Sequence, residues 1–207
     1  MCGECRESLL SDVLCESCHI YWRNGFQIPG VTLVLDKMGF ISDFAKDSVS
    51  SLRGRLVHRA LALFGVDRLD WTTVDERLLG WILSGVKFYE SLKVKPIAIE
   101  TPDIHPAYLY GYCLDGFGES TQGDILWDFK TGKAAKVAAR LQTAAYLDPI
   151  QRKYLRTNVK RVVVELDKDG GSPNLKWYNN RTDFNEWLSV LNTFRLLEEA
   201  NGKSGVR

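Results

Sequence analysis

Apolar positions along the chain recur with two periods, and the switches between them divide it into elements. In "IPGVTLVLDKMGFISDF", Val31, Val34, Leu35 and Met38 fall at helical spacing and predict a short helix. "SVSSLRGRLVHRALALFG" offers serine caps, an apolar face through Leu56, Ala60 and Leu63, and a stop at Gly65. "TTVDERLLGWILSGVKFYESLK" predicts a further helix with Val74, Leu78, Trp81, Ile82 and Val86 as its stripe. Strand signals then take over in "PIAIET", "AYLYGYCLDGF" and "DILWDFK". A helix from about Lys136 to Leu147 follows, then strands at "VKRVVVELDK" and "LKWYN" around the turn "DGG", and a last helix from Asp183 to about Glu199. This order implies one α/β domain, a central mixed sheet flanked by helices.

Composition changes the picture little. The 207 residues are 45% hydrophobic and 26% charged, ordinary for a globular chain long enough for one well-buried domain and a small appendage. No apolar run approaches the ~20 residues that cross a bilayer, and "MCGECRESLL" lacks the basic-then-apolar order of a signal peptide. A cytoplasmic location with reduced thiols is therefore expected. The net charge of +1 is uninformative, but nine Lys/Arg against one acid, Asp148, lie between Lys130 and Arg161. Such a stretch is either a phosphate-facing patch or a solvated helix face and loop.

Cysteine usage is more pointed. Cys2, Cys5, Cys15 and Cys18 make C-x2-C-x9-C-x2-C, leaving Cys113 over. Two such hooks in a reducing compartment argue for tetrahedral thiolate ligation of a structural zinc, with an iron–sulfur cluster as the lesser option. The expected units are a zinc-binding leader, residues 1–22, and a core, residues 23–207.

The candidate chemistry lies in "GYCLDGFGESTQGDILWDFKTG". On its second strand Ile125, Trp127 and Phe129 share one face, and Asp124, Leu126, Asp128 and Lys130 the other. If Phe117 pairs with Asp124, Asp115 falls opposite Leu126, on the face of Asp128. Two carboxylates beside a lysine either sit on a solvated face or form the metal-and-lysine end of a phosphodiesterase site. In the second case the acids hold a hard cation such as magnesium, and the ammonium stabilises charge on the phosphoryl group.

These pieces, in this order, resemble the PD-(D/E)XK nuclease superfamily, in particular its RecB-like branch with the small phage-encoded exonucleases. "RGRLVHRAL" is similar to that family's histidine-bearing helix, "DILWDFKTGK" to its D/E-x-K strand, and "RLQTAAY" to its Q-x-x-x-Y helix. One departure is the spacing Gly111-x-x-x-Asp115, one residue longer than the family's G-x-x-D. The resemblance implies a restriction-endonuclease-like core and metal-dependent DNA hydrolysis with magnesium or manganese. It implies Asp115, Asp128, His58 and the carbonyl of Phe129 as metal ligands, and Lys130 as the catalytic lysine. Gln142 and Tyr146 would line the DNA side, with Lys133, Lys136 and Arg140 as further DNA contacts. Glu100 is similar to a recurrent family acid but has no assigned place in the metal shell. An exonuclease and an endonuclease both fit. The competing expectation is a catalytically silent DNA-binding or recombination accessory protein that keeps the fold. The leader would be an added module, suited to gripping DNA, contacting a protein partner or capping the core.

Overall fold

In the computed structural model the described residues are 13–15, 20–41 and 48–202. Three short strands, β1 (Val13–Cys15), β2 (Ile20–Arg23) and β3 (Phe26–Ile28), pair antiparallel in that order. Two helices follow, α1 (Val31–Lys37) and α2 (Ser48–Gly65), then 3-10 turns at Trp71–Thr73 and Glu76–Leu78, and α3 (Leu79–Ser91). The main sheet is built from β4 (Lys95–Ile104), β5 (Gly111–Ser120), β6 (Gly123–Lys130), β7 (Lys160–Glu165) and β8 (Asn174–Tyr178). Helix α4 (Lys136–Tyr154) connects β6 to β7, and α5 (Asp183–Ala200) closes the chain.

The sheet order is β4-β5-β6-β7-β8, antiparallel throughout except for the parallel β6–β7 pair that α4 bridges. Alternation along β6 divides the core in two. Ile125, Trp127 and Phe129 pack with Val57 and Leu61 of α2 and with Ile82, Phe88 and Tyr89 of α3. Leu126 faces the other way, toward α1, α4 and α5, with Leu141, Tyr146, Trp187 and Leu191. The sheet is thus mixed and covered by helices on both faces.

Local chemistry explains where elements depart from the expected bounds. The helix anticipated from residue 72 starts at Leu79, because the Asp70 and Asp75 carboxylates accept the amides of Thr72 and Arg77 and stabilise tight turns instead. Helix α2 buries Val57 and Leu61, while Leu56 is half exposed, so the face expected from Leu56, Ala60 and Leu63 is rotated by one residue. The chain offers α2 two apolar stripes, and packing against α3 and β6 selects the second. Helix α4 runs past the expected end at Leu147, straight through Pro149. Proline leaves the carbonyl of Ala145 without its helical donor. The buried Tyr110 hydroxyl donates to that carbonyl at 2.7 Å, which lets the helix continue.

The small sheet is joined to the core. The Gly111 amide donates to the Pro29 carbonyl, and the Tyr21 ring lies against Gly111, where an added Cβ would fall 2.1 Å from it. Tyr21, Ile28 and Ile104 form a small core of their own. The unit boundary anticipated after residue 22 therefore falls inside β2. Of the four leader cysteines, Cys2, Cys5 and Cys18 lie outside the described residues, and Cys15 is described only as backbone of β1.

Candidate active site

Where β5 meets β6, the register is Phe117↔Leu126 and Gly116↔Trp127, two residues from the one anticipated. Trp127 lies flat over Gly116, where a Cβ would come within 2.0 Å of the indole, so only glycine fits there. The ladder ends at this pair. Beyond it the Phe129 amide donates to the Asp115 carboxylate at 2.6 Å instead of to a backbone carbonyl.

Asp115 also breaks the alternation of its strand. Leu114 and Phe117 both pack in the α4-side core, although three residues apart. In the neighbouring strand, Ile99 pairs with Gly116 and Thr101 with Leu114, which sets Glu100 opposite Asp115. Glu100 has φ of 43°, a left-handed conformation that costs a non-glycine residue energy. Both acids thereby turn to α2, where His58 Nδ1 lies 3.2 Å from Asp115 Oδ1. Ligand atoms of His58, Glu100 and Asp115 all lie within 4.8 Å of one another.

Electrostatics bind this group together. Burial would lower the pKa of His58, but the Asp115 carboxylate outweighs it and pushes the imidazole up to about 9. Burial would raise Asp115, and His58 holds it below the usual carboxylate range. Glu100, desolvated and facing Asp115, is pushed up to about 7. Beside it, burial raises the Cys113 thiol as well.

Asp128 and Lys130 lie on the α4 side of β6. Asp128 is 2% exposed, and its Oδ2 lies 2.7 Å from Lys130 Nζ. Lys130 donates to Gln142 Oε1 at 3.1 Å, and Gln142 Nε2 donates to the Tyr146 hydroxyl at 2.8 Å. Burial raises the Asp128 pKa against the pull of Lys130. Burial would lower Lys130, but Asp128 and Asp115 raise it, so it stays an ammonium.

The expected residues are therefore distributed in two groups. Among the described residues, His58 and Asp115 gather with Glu100 rather than with Asp128, which stands outside that set. Tyr146 is 3% exposed, so it backs Gln142 from the interior and does not line a DNA surface. Phe129 contacts Asp115 through its N–H. Lys133 and Lys136 are exposed just past the end of β6. The rest of the basic stretch does not form one open face. Arg140 is tied to Asp183 and Glu186, Arg152 to Asp148, Lys153 to Asp103, and Arg156 to Glu119 and Asp124. A cleft of about 580 Å³ lies at the other end of β7, lined by Lys160, Tyr178, Arg181 and Phe184 among others, away from the acids.

Sequence reasoning left Glu100 without a place. Its signals were an acid in an otherwise strand-like run and a likeness to a recurrent family acid, and the backbone turn that aims it at His58 has no signature in residue type.

No family model and no curated protein matches the chain. Among solved structures, the crystal structure of LHK-Exo in complex with dAMP aligns with 85% of this chain and 94% of its own, at 13% identity and a TM-score of 0.29. A likeness at that level carries no inference about activity.

Proposed function

We propose that the chain is a divalent-metal-dependent deoxyribonuclease that hydrolyses phosphodiester bonds. One observation carries the proposal: His58, Glu100 and Asp115 converge next to a buried Asp128 that is paired with a partly exposed Lys130 at the end of β6. Carboxylates directly opposite each other repel, and a proton or a cation between them relieves the cost. The two carboxylates suit a hard cation such as magnesium or manganese, and the imidazole beside them favours the transition ion, manganese, of the two. His58, Glu100 and Asp115 would hold the ion, with Asp128 and the Phe129 carbonyl as further oxygen donors on the β6 side. The ion supplies a Lewis acid for a phosphate oxygen and makes hydroxide accessible near neutral pH.

The other tasks fall to this chain's own groups. The Lys130 ammonium, oriented by Asp128 and Gln142, stabilises negative charge that grows on the phosphoryl oxygens. The Phe129 amide fixes the Asp115 carboxylate toward His58. Exposed Lys133 and Lys136 would meet backbone phosphates, making binding salt-dependent.

The test is incubation with linear, circular and single-stranded DNA in magnesium or manganese, with and without EDTA. Cleavage that EDTA abolishes is the expected result. DNA binding without cleavage under every metal condition would favour the second reading, a catalytically silent DNA-binding protein. The enclosure of Asp128 by Lys130 is the observation on that side. For Cys2, Cys5, Cys15 and Cys18 the proposal is one structural zinc. Elemental analysis of protein purified without chelator should give near one equivalent, and a trace would count against it.

A further inference from the structure

Arg53 lies one turn before Val57 on α2, and its guanidinium carbon sits 4.9 Å from the centre of the Trp81 ring on α3. The Trp81 indole donates at 3.0 Å to the carbonyl of Thr131, the residue after Lys130. Gly54, next to Arg53, runs beside the same threonine, with its Cβ position 3.9 Å from Thr131 Oγ1. Arg53, Trp81 and Thr131 thus link α2, α3 and the point where β6 leaves the sheet.

Several other arginines spend donors on carboxylates, Arg77 on Asp75, Arg140 and Arg161 on Asp183, and Arg152 on Asp148, while Arg195 donates to the backbone carbonyls of Tyr108 and Leu109. Arg53 has no such partner among the described residues, and its buried Nε makes no hydrogen bond. Stacking on an aromatic face fixes the guanidinium plane without consuming its N–H donors. A guanidinium held over a ring, with its terminal amino groups on no carboxylate among the described residues, is suited to a phosphate oxygen, because less entropy is left to lose on binding.

We infer that Arg53, laid on Trp81, is a phosphate-binding residue that positions a nucleic-acid backbone against the Lys130 end of the site. The inference rests on the nuclease reading above. A role confined to shielding the indole is the alternative, and methionine would serve that equally well, being long, apolar and adaptable.

The experiment compares wild type, Arg53→Met and Arg53→Lys on a linear duplex, following cleavage kinetics and binding at several salt concentrations, with thermal melts alongside. Arg53→Met should raise KM about tenfold while kcat changes little, since a contact kept in both ground and transition states is lost. Its salt slope should fall by about 0.9, one phosphate contact. Arg53→Lys, which keeps the charge but loses the planar fork, should fall between. A folded Arg53→Met protein with wild-type KM and salt slope, in an assay where wild type cuts, overturns this inference alone. A wild type that neither binds nor cuts DNA overturns the nuclease reading and the inference together.

Discussion

The carboxylates of Glu100 and Asp115 face each other across β4 and β5, both turned toward His58, at a pair where the two strands stop alternating. Their proximity is unfavourable in the metal-free fold and becomes favourable once a cation or proton lies between them. That reversal has a measurable pH dependence.

Glu100 rises from the ordinary glutamate value to about 7 and His58 to about 9, so both hold extra protons in the folded state. The His58 contribution is complete below its unfolded value near 6.5 and disappears as pH rises through about 9. The Glu100 shift acts in the same direction, lowering stability as pH climbs from 4.5 through about 7. Metal-free protein should therefore melt at lower temperature at pH 8.5 than at pH 6. Manganese affinity should climb over the same range as these protons are displaced. Glu100→Gln should stabilise the metal-free protein at high pH by about 1 kcal/mol and weaken metal binding, checked by melting and calorimetric titration. An unchanged metal affinity would remove Glu100 from the site.

Lys130→Ala should reduce turnover about a hundredfold or more while DNA binding persists, because the ammonium acts on charge present mainly in the transition state. Gln142→Ala should cost less, about three- to tenfold, since Asp128 still restrains the lysine. Single-turnover cleavage and a binding assay separate the two. Equal losses for both variants would mean that Gln142 does more than orient Lys130.

Tyr110, just before β5, and Pro149 of α4 form a matched pair around the Ala145 carbonyl. Tyr110→Phe leaves the buried Ala145 carbonyl with no donor and should destabilise by about 1–3 kcal/mol. Pro149→Ala returns a helical N–H to that carbonyl, so the same tyrosine change should cost markedly less in its background. A denaturant-based double-mutant cycle measures the difference, and simple additivity would contradict the assignment.

His105 is 0% exposed, and its Nδ1 accepts from the amides of Ala107 and Tyr108 while Nε2 donates to Asp148. A second ring proton would displace both amides. Burial, outweighing Asp148, holds the pKa below the usual histidine value. The stabilisation is therefore complete above pH 6.5 and is lost as acidification passes through the depressed value. Asp148, whose pKa is also lowered despite burial, adds a loss in the same direction below pH 3.8. Between pH 7 and pH 5 this loss opposes the gain from Glu100, so the difference between wild type and His105→Gln isolates it: the variant's melting midpoint should rise relative to wild type as the pH falls.

The order of helices and strands was legible because each core element keeps one clear period, as β6 does with Ile125, Trp127 and Phe129. Register was less so. The β5–β6 turn is tighter than supposed, with Ser120 pairing Gly123, and this moved every partner by two. The site was legible in kind, a histidine, acids and a lysine, but not in grouping. Alternation placed Asp115 with Asp128, whereas the break at Asp115 and the left-handed Glu100 assemble a different set. The basic stretch misled for another reason. The partners of Arg140, Lys153 and Arg156 come from α5, β4 and β5–β6, elements distant in sequence, so their neutralisation has no local sign.

Tyr21 occupies the space that a side chain at Gly111 would need, and Gly111 opens the strand that reaches Asp115 four residues later. The aromatic ring of the small sheet is thus a roof over the start of that strand. Shortening the protein to begin after residue 22 would strip the roof away, expose the glycine backbone to water, and loosen the acid from its far end. A trimmed chain is for that reason a poorer proxy for the intact protein than its preserved lysine and carboxylates would suggest.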